Sequence, residues 1–240
     1  MPPLASQCAV CRSWPTDPVC NACTARFLGV VPRCRTCAEA LPLDLSRGLR
    51  TSPGQCLTCI AHAPSADAVL VAVDYAYPWS ALIAQYKFGD RPGWAPYFAK
   101  LLLGAPGVLR ALEGLAAADF IVPIPLAEPR LQTRGFNQSW ELASALAMQS
   151  GSPAKADAHL LLRIKNNRSQ TDLLRAARLS NVVGVFAVDP LRAPELLHRR
   201  VVLVDDVMTS GATLFAAAQA IKSSGARHVT AIALARTPAP

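Results

Sequence analysis

Val201-Val-Leu-Val-Asp205-Asp206-Val-Met-Thr209-Ser210-Gly211-Ala212-Thr213 is the stretch on which the fold of this chain turns. Four apolar residues suit a short buried strand, and the strand runs straight into two adjacent carboxylates. A turn of small and hydroxyl-bearing residues follows, and then Leu214, Phe215, Ala218 and Ile221 recur at helical spacing. In open parallel sheets ligands bind outside the carboxyl ends of the strands. A Thr-Ser-Gly turn that opens a helix presents unpaired backbone N–H groups and hydroxyls, the donors a phosphate monoester needs. Asp205 and Asp206, just before it, can accept hydrogen bonds from two vicinal ribose hydroxyls.

Other strand-to-helix sites that carry an Asp-Asp pair fit less well. A receiver domain needs a phosphorylatable Asp further along its chain, and no Asp or Glu follows Asp206. A nucleotide-hydrolysing P-loop needs Gly-x-x-x-x-Gly-Lys, and the chain has no Gly-Lys dipeptide.

Working outward, the second half of the chain alternates apolar runs with helix-like stretches. Strands are predicted at 69–75, 120–124, 160–164, 201–205 and 229–233, with helices near 79–88, 97–115, 138–148, 171–179 and 212–223. This pattern predicts an α/β fold with a mostly parallel, Rossmann-like sheet covered on both faces, occupying residues 67–237. Residues 61–68 read as a short linker.

The first 62 residues have a different texture. All eight cysteines fall there, in four Cys-x-x-Cys pairs: Cys8/Cys11, Cys20/Cys23, Cys34/Cys37 and Cys56/Cys59. Two thiolates separated by two residues can grip one Zn²⁺ from a tight turn, and two such knuckles complete a tetrahedron. A double zinc ribbon with two structural Cys₄ sites is therefore expected over 1–62. Sequential sites would pair the first knuckle with the second and the third with the fourth; a cross-braced arrangement would join alternate knuckles. The gap lengths favour the sequential pairing. A disulfide framework is disfavoured, because the N-terminus shows no secretory signal and reducing compartments keep thiols free.

Composition fits a folded chain handled in the cytoplasm. Of 240 residues, 52% are apolar and 17% charged, which excludes a disordered polyelectrolyte. The longest charge-free apolar-leaning run, 207–221, falls short of the ~20 residues that a bilayer demands, so no membrane insertion is expected. The formal charge is +8; eight zinc-bound thiolates would bring it to about +4. Residues 130–178 hold eight Arg and Lys against three Asp and Glu. Guanidinium groups bind phosphate oxygens through two parallel hydrogen bonds, and Arg134, beside Gly135 in an expected loop, is the strongest candidate for a pyrophosphate contact. Asn137 and Gln138 are expected to cap the following helix, and Lys87 is a weaker candidate for phosphate contact. No general base or catalytic residue is assignable.

At this point the chain resembles the type I phosphoribosyltransferases, whose thirteen-residue motif for 5-phosphoribosyl 1-pyrophosphate (PRPP) is matched throughout 201–213. The resemblance implies that Asp205 and Asp206 hold the ribose hydroxyls while Thr209, Ser210, Gly211, Ala212 and Thr213 wrap the 5-phosphate, with Mg²⁺ accompanying the pyrophosphate. Purine-salvage members carry an acidic residue where Thr209 stands. A second block, Val122-Pro-Ile-Pro-Leu-Ala-Glu-Pro-Arg130-Leu-Gln-Thr-Arg134-Gly-Phe-Asn137-Gln138-Ser-Trp-Glu-Leu-Ala, is similar to that of the ComF/GntX family. Tyr86-Lys87-Phe-Gly-Asp90, Arg168-Ser-Gln170-Thr and Arg178-Leu-Ser-Asn181-Val-Val-Gly-Val-Phe186 look like further ComF blocks, and these proteins also begin with a cysteine-knuckle module. The family implies a role in DNA uptake during natural transformation or in use of external DNA, through single-stranded DNA and competence DNA-uptake proteins as partners. The alternative it leaves open is transfer of a phosphoribosyl group to an unknown acceptor.

Overall fold

The computed structural model describes residues 6–14, 16–29, 31–41, 54–89, 92–164 and 184–238. The expected helix at 171–179 lies outside the described residues, as do Asp90, Lys165, Arg168, Gln170, Arg175, Arg178 and Asn181.

Five strands form one parallel sheet in the order β1-β7-β6-β2-β3. They are β1 (Ala68–Asp74), β2 (Phe120–Pro123), β3 (Lys155–Ala156), β6 (Arg200–Met208) and β7 (His228–Arg236). The central β6 and β7 read as near-continuous apolar runs because both of their faces are covered. One face carries α3 (Trp79–Phe88), α4 (Ala95–Leu103), α5 (Val108–Glu113) and α7 (Gln138–Ser150), which share a core around Ile83, Phe98, Leu112, Leu142, Val202 and Val204. The other face packs α8 (Ala212–Ser223), through Leu214, Ala218 and Ile221, on Val201, Leu203 and Val229. Asp67 fixes the entry to β1: its carboxylate accepts from the Val229 amide at 2.7 Å and pairs with Lys222 at 2.7 Å.

Three sequence expectations of secondary structure need correction. The helix expected over 97–115 is two helices, α4 and α5. Gly104 and Pro106 interrupt it, and Gly107 turns the chain at φ +84°, a conformation that favours glycine. The strand expected at 160–164 is real but does not enter the main sheet. As β4 (Leu161–Arg163) it pairs antiparallel with β5 (Phe186–Val188), and the two-residue β3 takes the sheet edge instead. Strand β6 also outlasts its expected end, carrying the ladder past both carboxylates to Met208.

The cysteine segment contains two copies of one unit, which its sequence does not announce as a repeat. In each, a Cys-x-x-Cys turn is closed by a short antiparallel bridge, Ser6 with Thr16 and Arg33 with Ala40. The residue after the second cysteine is left-handed in both copies: Arg12 at φ 67° and Ala38 at φ 56°. The partner knuckle then opens a short helix, α1 (Asn21–Phe27) behind Cys20 and α2 (Leu57–Ala61) behind Cys56. Neither unit stands apart from the sheet. Cys8, Val19 and Cys23 belong to the α3/α4 core, where the Trp79 indole N–H donates to the Phe27 carbonyl at 3.1 Å. Cys34, Cys37 and Cys59 pack with Phe215 of α8. Among the described residues, no helix is long and apolar enough to cross a membrane.

Candidate functional site

The carboxyl ends of β6 and β7 lie side by side, with Met208 in register with Arg236. Past Met208 the chain turns through Thr209, Ser210 and Gly211 into α8. Gly211, at φ +84°, is the helix N-cap and supplies no side-chain cap. The first N–H groups of a helix have no partners within it and point out of its end, so this turn has the build of an anion cradle. A methyl group on Gly211 would run into Met208 and the Phe215 ring. The Gly211→Ala variant should therefore lose about 1–2 kcal/mol to left-handed strain alone, before any steric overlap. A drop in melting temperature of about 5 °C or more is the expected reading in a thermal melt; an unchanged melt would show that the turn adapts.

Asp206 is 7% exposed and pairs with Lys87 Nζ at 2.8 Å. Asp205 accepts from the Ser139 hydroxyl and from the Asp206 amide, both at 2.9 Å. Enclosure and the neighbouring Asp206 carboxylate push Asp205 up to about 7, against the opposing pull of Lys87 and Ser139.

Arg134 faces this pair, but from a different element than expected. It is the last residue of a helix, α6 (Glu128–Arg134), and not part of a loop; Gly135 ends the helix at φ 74°. Its guanidinium donates to Gln138 Oε1 at 2.9 Å and lies 4.7 Å from the centre of the Phe88 ring. Burial lowers its pKa, Asp206 raises it and Arg130 lowers it further, which places all three charges within one field. Arg163 of β4 is lowered by burial and by Arg130 while Asp205 opposes, so it joins the same group. Among the described residues its Nε has no hydrogen-bond partner. Asn137 caps α7 by accepting from the Ser139 amide at 3.0 Å, as its position predicts. Gln138 is 1% exposed; its carbonyl accepts from the Tyr86 hydroxyl at 2.7 Å, and its side-chain amide nitrogen has no partner among the described residues.

The structure therefore brings the residues singled out at 205–213 together with Lys87, the weaker candidate of the sequence, and adds Ser139 and Arg163. Ser139 lies inside the block Asn137-Gln138-Ser, and a closer reading of that block would have reached it. Arg163 carried no signal beyond its charge. An apolar cavity of about 370 Å³ between residues 28–35 and β1 shares no residue with this site.

The eight cysteines form two sets, Cys8/Cys11/Cys20/Cys23 and Cys34/Cys37/Cys56/Cys59, with the sulfurs of each set within 4.8 Å of one another. This is the sequential arrangement. The sulfurs of Cys11 and Cys20 lie 3.6 Å apart and those of Cys37 and Cys56 3.7 Å apart. Four thiolates at ~2.3 Å from a tetrahedral zinc would stand ~3.8 Å apart, so either set could hold such an ion. Backbone amides point at the sulfurs as well, Cys20 N to Cys8 at 3.3 Å and Cys23 N to Cys20 at 3.4 Å.

A parallel sheet that ends an apolar strand in paired carboxylates and a Thr-Ser-Gly turn defines a phosphoribosyltransferase-fold protein, and the Phosphoribosyl transferase domain family matches residues 153–240. Relatives then narrow the class. The DNA utilization protein YhgH of Salmonella typhi is 32% identical over 91% of this chain and 90% of its own length. Competence protein F of Haemophilus influenzae is 27% identical over 91% and 90%. Competence protein ComFC of Bacillus subtilis is 34% identical over 49% of this chain and 44% of its own. The chain belongs to the ComF family.

Proposed function

We propose that the site at the end of β6 binds PRPP with Mg²⁺, and that the protein uses this site in the cytoplasm during uptake or use of DNA. The observation that carries the reading is the junction of an Asp205–Asp206 pair with a side-chain-free helix cap, faced by Arg134 and Arg163. In this reading Asp205 and Asp206 accept from the ribose hydroxyls and the backbone of 209–213 holds the 5-phosphate. Arg134, already oriented by Gln138 and Phe88, meets the pyrophosphate. Lys87 must leave Asp206 as the hydroxyls arrive, which frees a cation beside the same charge. Mg²⁺ would add charge neutralisation on the pyrophosphate oxygens. If transfer occurs, these groups position the reactants and stabilise the departing charge.

In the same reading residues 1–62 are a double zinc ribbon seated on a phosphoribosyltransferase-fold domain of residues 67–237. Single-stranded DNA is the proposed macromolecular ligand, with competence DNA-uptake proteins as partners. Its support is the relatives' names, together with exposed Arg130 and a Phe88 ring that is 71% exposed beside Arg134. Calorimetric titration of the zinc-loaded protein with PRPP and Mg²⁺ tests the ligand, and the expected outcome is saturable binding at one site per chain. Saturating PRPP should then weaken single-stranded DNA binding if both use these arginines. Undiminished DNA binding would place the strand on another surface, and no PRPP binding by the folded protein would defeat the ligand reading.

A further inference from the structure

The second cysteine cluster and the phosphate turn are joined by two separate lines of contact. The polar line runs through Arg236, the last residue of β7, which is 2% exposed. One arm of its guanidinium pairs with the Glu39 carboxylate, and the other donates to the Thr209 carbonyl at 2.9 Å. Glu39 in turn belongs to the knuckle: its own carbonyl accepts from the Cys34 amide at 2.8 Å, closing the loop that presents Cys34 and Cys37. The apolar line runs through Phe215, which packs on Cys34, Cys37 and Cys59. The same ring fills the space where a side chain at Gly211 would lie. Arg33 braces the arrangement, donating to the Ala38 carbonyl at 3.2 Å and pairing with Asp74 on β1 at 2.7 Å. The first cluster has no such route among the described contacts; it packs into the α3/α4 core instead.

We propose that the second cysteine cluster sets the shape of the phosphate turn, with Arg236 as the positioning residue that carries the coupling. A buried guanidinium held between a knuckle carboxylate and a turn carbonyl fixes the direction of the peptide at Thr209, at the entrance of the turn. Opening the knuckle removes Glu39 from one arm and the support from behind Phe215, and the turn loses both constraints at once. The proposal rests on reading that turn as the 5-phosphate site. Linkage then demands reciprocity: if metal in this cluster favours ligand, ligand must favour metal in this cluster by the same factor.

The test compares the zinc-loaded parent with Glu39→Ala and Arg236→Lys, neither of which removes a cysteine. Three readouts are needed: hydrogen exchange of the 209–213 amides, calorimetric affinity for PRPP with Mg²⁺, and release of zinc to a selective chelator. Glu39→Ala should speed exchange in the turn while leaving α7 amides unchanged, and should weaken PRPP about tenfold, within the range typical of coupled sites. Arg236→Lys keeps the charge but cannot span both partners, and should fall between parent and Glu39→Ala. Saturating PRPP should slow loss of one of two zinc equivalents from the parent about tenfold, an effect that Glu39→Ala removes. A purely structural role would lower the melting temperature without any such reciprocal protection. Turn exchange and PRPP affinity equal to the parent's in Glu39→Ala would overturn the coupling while leaving the ligand reading intact. Faster turn exchange in Glu39→Ala, in a parent that binds no PRPP, would support the coupling and defeat only the ligand reading.

Discussion

The Asp205→Asn/Asp206→Asn double variant is expected to lose PRPP affinity by roughly 100–1000-fold, while binding of inorganic pyrophosphate without Mg²⁺ holds or tightens. Each carboxylate offers a charged hydrogen bond to a ribose hydroxyl, and such bonds contribute about 1.5–3 kcal/mol each. Asparagine keeps the shape, so the sheet and the Ser139 contact can survive. The same change leaves Lys87, Arg134 and Arg163 with no opposing charge, which favours a bare anion. Opposite responses of the two ligands separate ribose recognition from general attraction of phosphate. A parallel loss of both would point to unfolding or to a collapsed site, which a thermal melt resolves.

The single variants carry a pH signature. Asp205 stands at about 7, raised above its ordinary value by enclosure and by Asp206. Ribose hydroxyls donate to the ionised carboxylate, so a protonated Asp205 must first give up its proton. Affinity of the parent should therefore rise between pH 6 and pH 8 beyond what ionisation of the ligand accounts for. Asp205→Asn should follow the ligand's own ionisation alone. The same raised value makes the folded state bind a proton that the unfolded chain has released above pH ~4, so this group lowers stability as pH climbs from ~4 to 7.

Removal of zinc is the second change with a large expected effect. Structural zinc sites contribute ~10–16 kcal/mol of apparent binding free energy in isolated finger peptides. Whole domains have only about 5–15 kcal/mol of net stability. Here Cys8, Val19 and Cys23 are part of the core that α3 and α4 share, so losing the first cluster exposes the Trp79 and Phe98 side of the sheet as well. We expect zinc content of two per chain, and a fall in melting temperature of more than about 10 °C on exhaustive chelation. Cys8→Ser should account for most of that fall. Cys34→Ser should cost less stability, because its cluster meets the sheet through Ala38, Phe215, the Val69 amide and the Arg33 and Arg236 ion pairs, while its own sulfurs lie outside the main core. A chelated protein that melts with the parent would show that neither cluster supports the fold.

Arg134 shows why parts of the site were legible and others were not. Its charge and its place beside Gly135 marked it as a phosphate contact, but local pattern could not tell a short helix from a loop. Pro129 inside α6 obscures the periodicity, although Pro fits the first turn of a helix. Strand β4 carries the composition of a sheet strand, yet its partner is the local β5, and pairing partners are set by tertiary contacts that composition does not encode. Lys87 was the weaker candidate for phosphate contact in the sequence, and only the tertiary structure sets it on Asp206. Arg236 ends an apolar strand with no motif around it, and only its burial between Glu39 and Thr209 marks it.

The amino-acid sequence by itself determined the parallel α/β class, the carboxylate pair, the Thr-Ser-Gly turn and the four Cys-x-x-Cys knuckles. Each of those depends on residues close together in the chain, where spacing and residue type dictate the local geometry. The tertiary structure alone decided which cations meet the carboxylates, which strand leaves the sheet, and that both cysteine units are built into its covering layers. Those outcomes join residues far apart in the chain, up to 197 positions for Glu39 and Arg236. Such contacts are selected by the packing of the whole fold, and no local pattern of side chains records them.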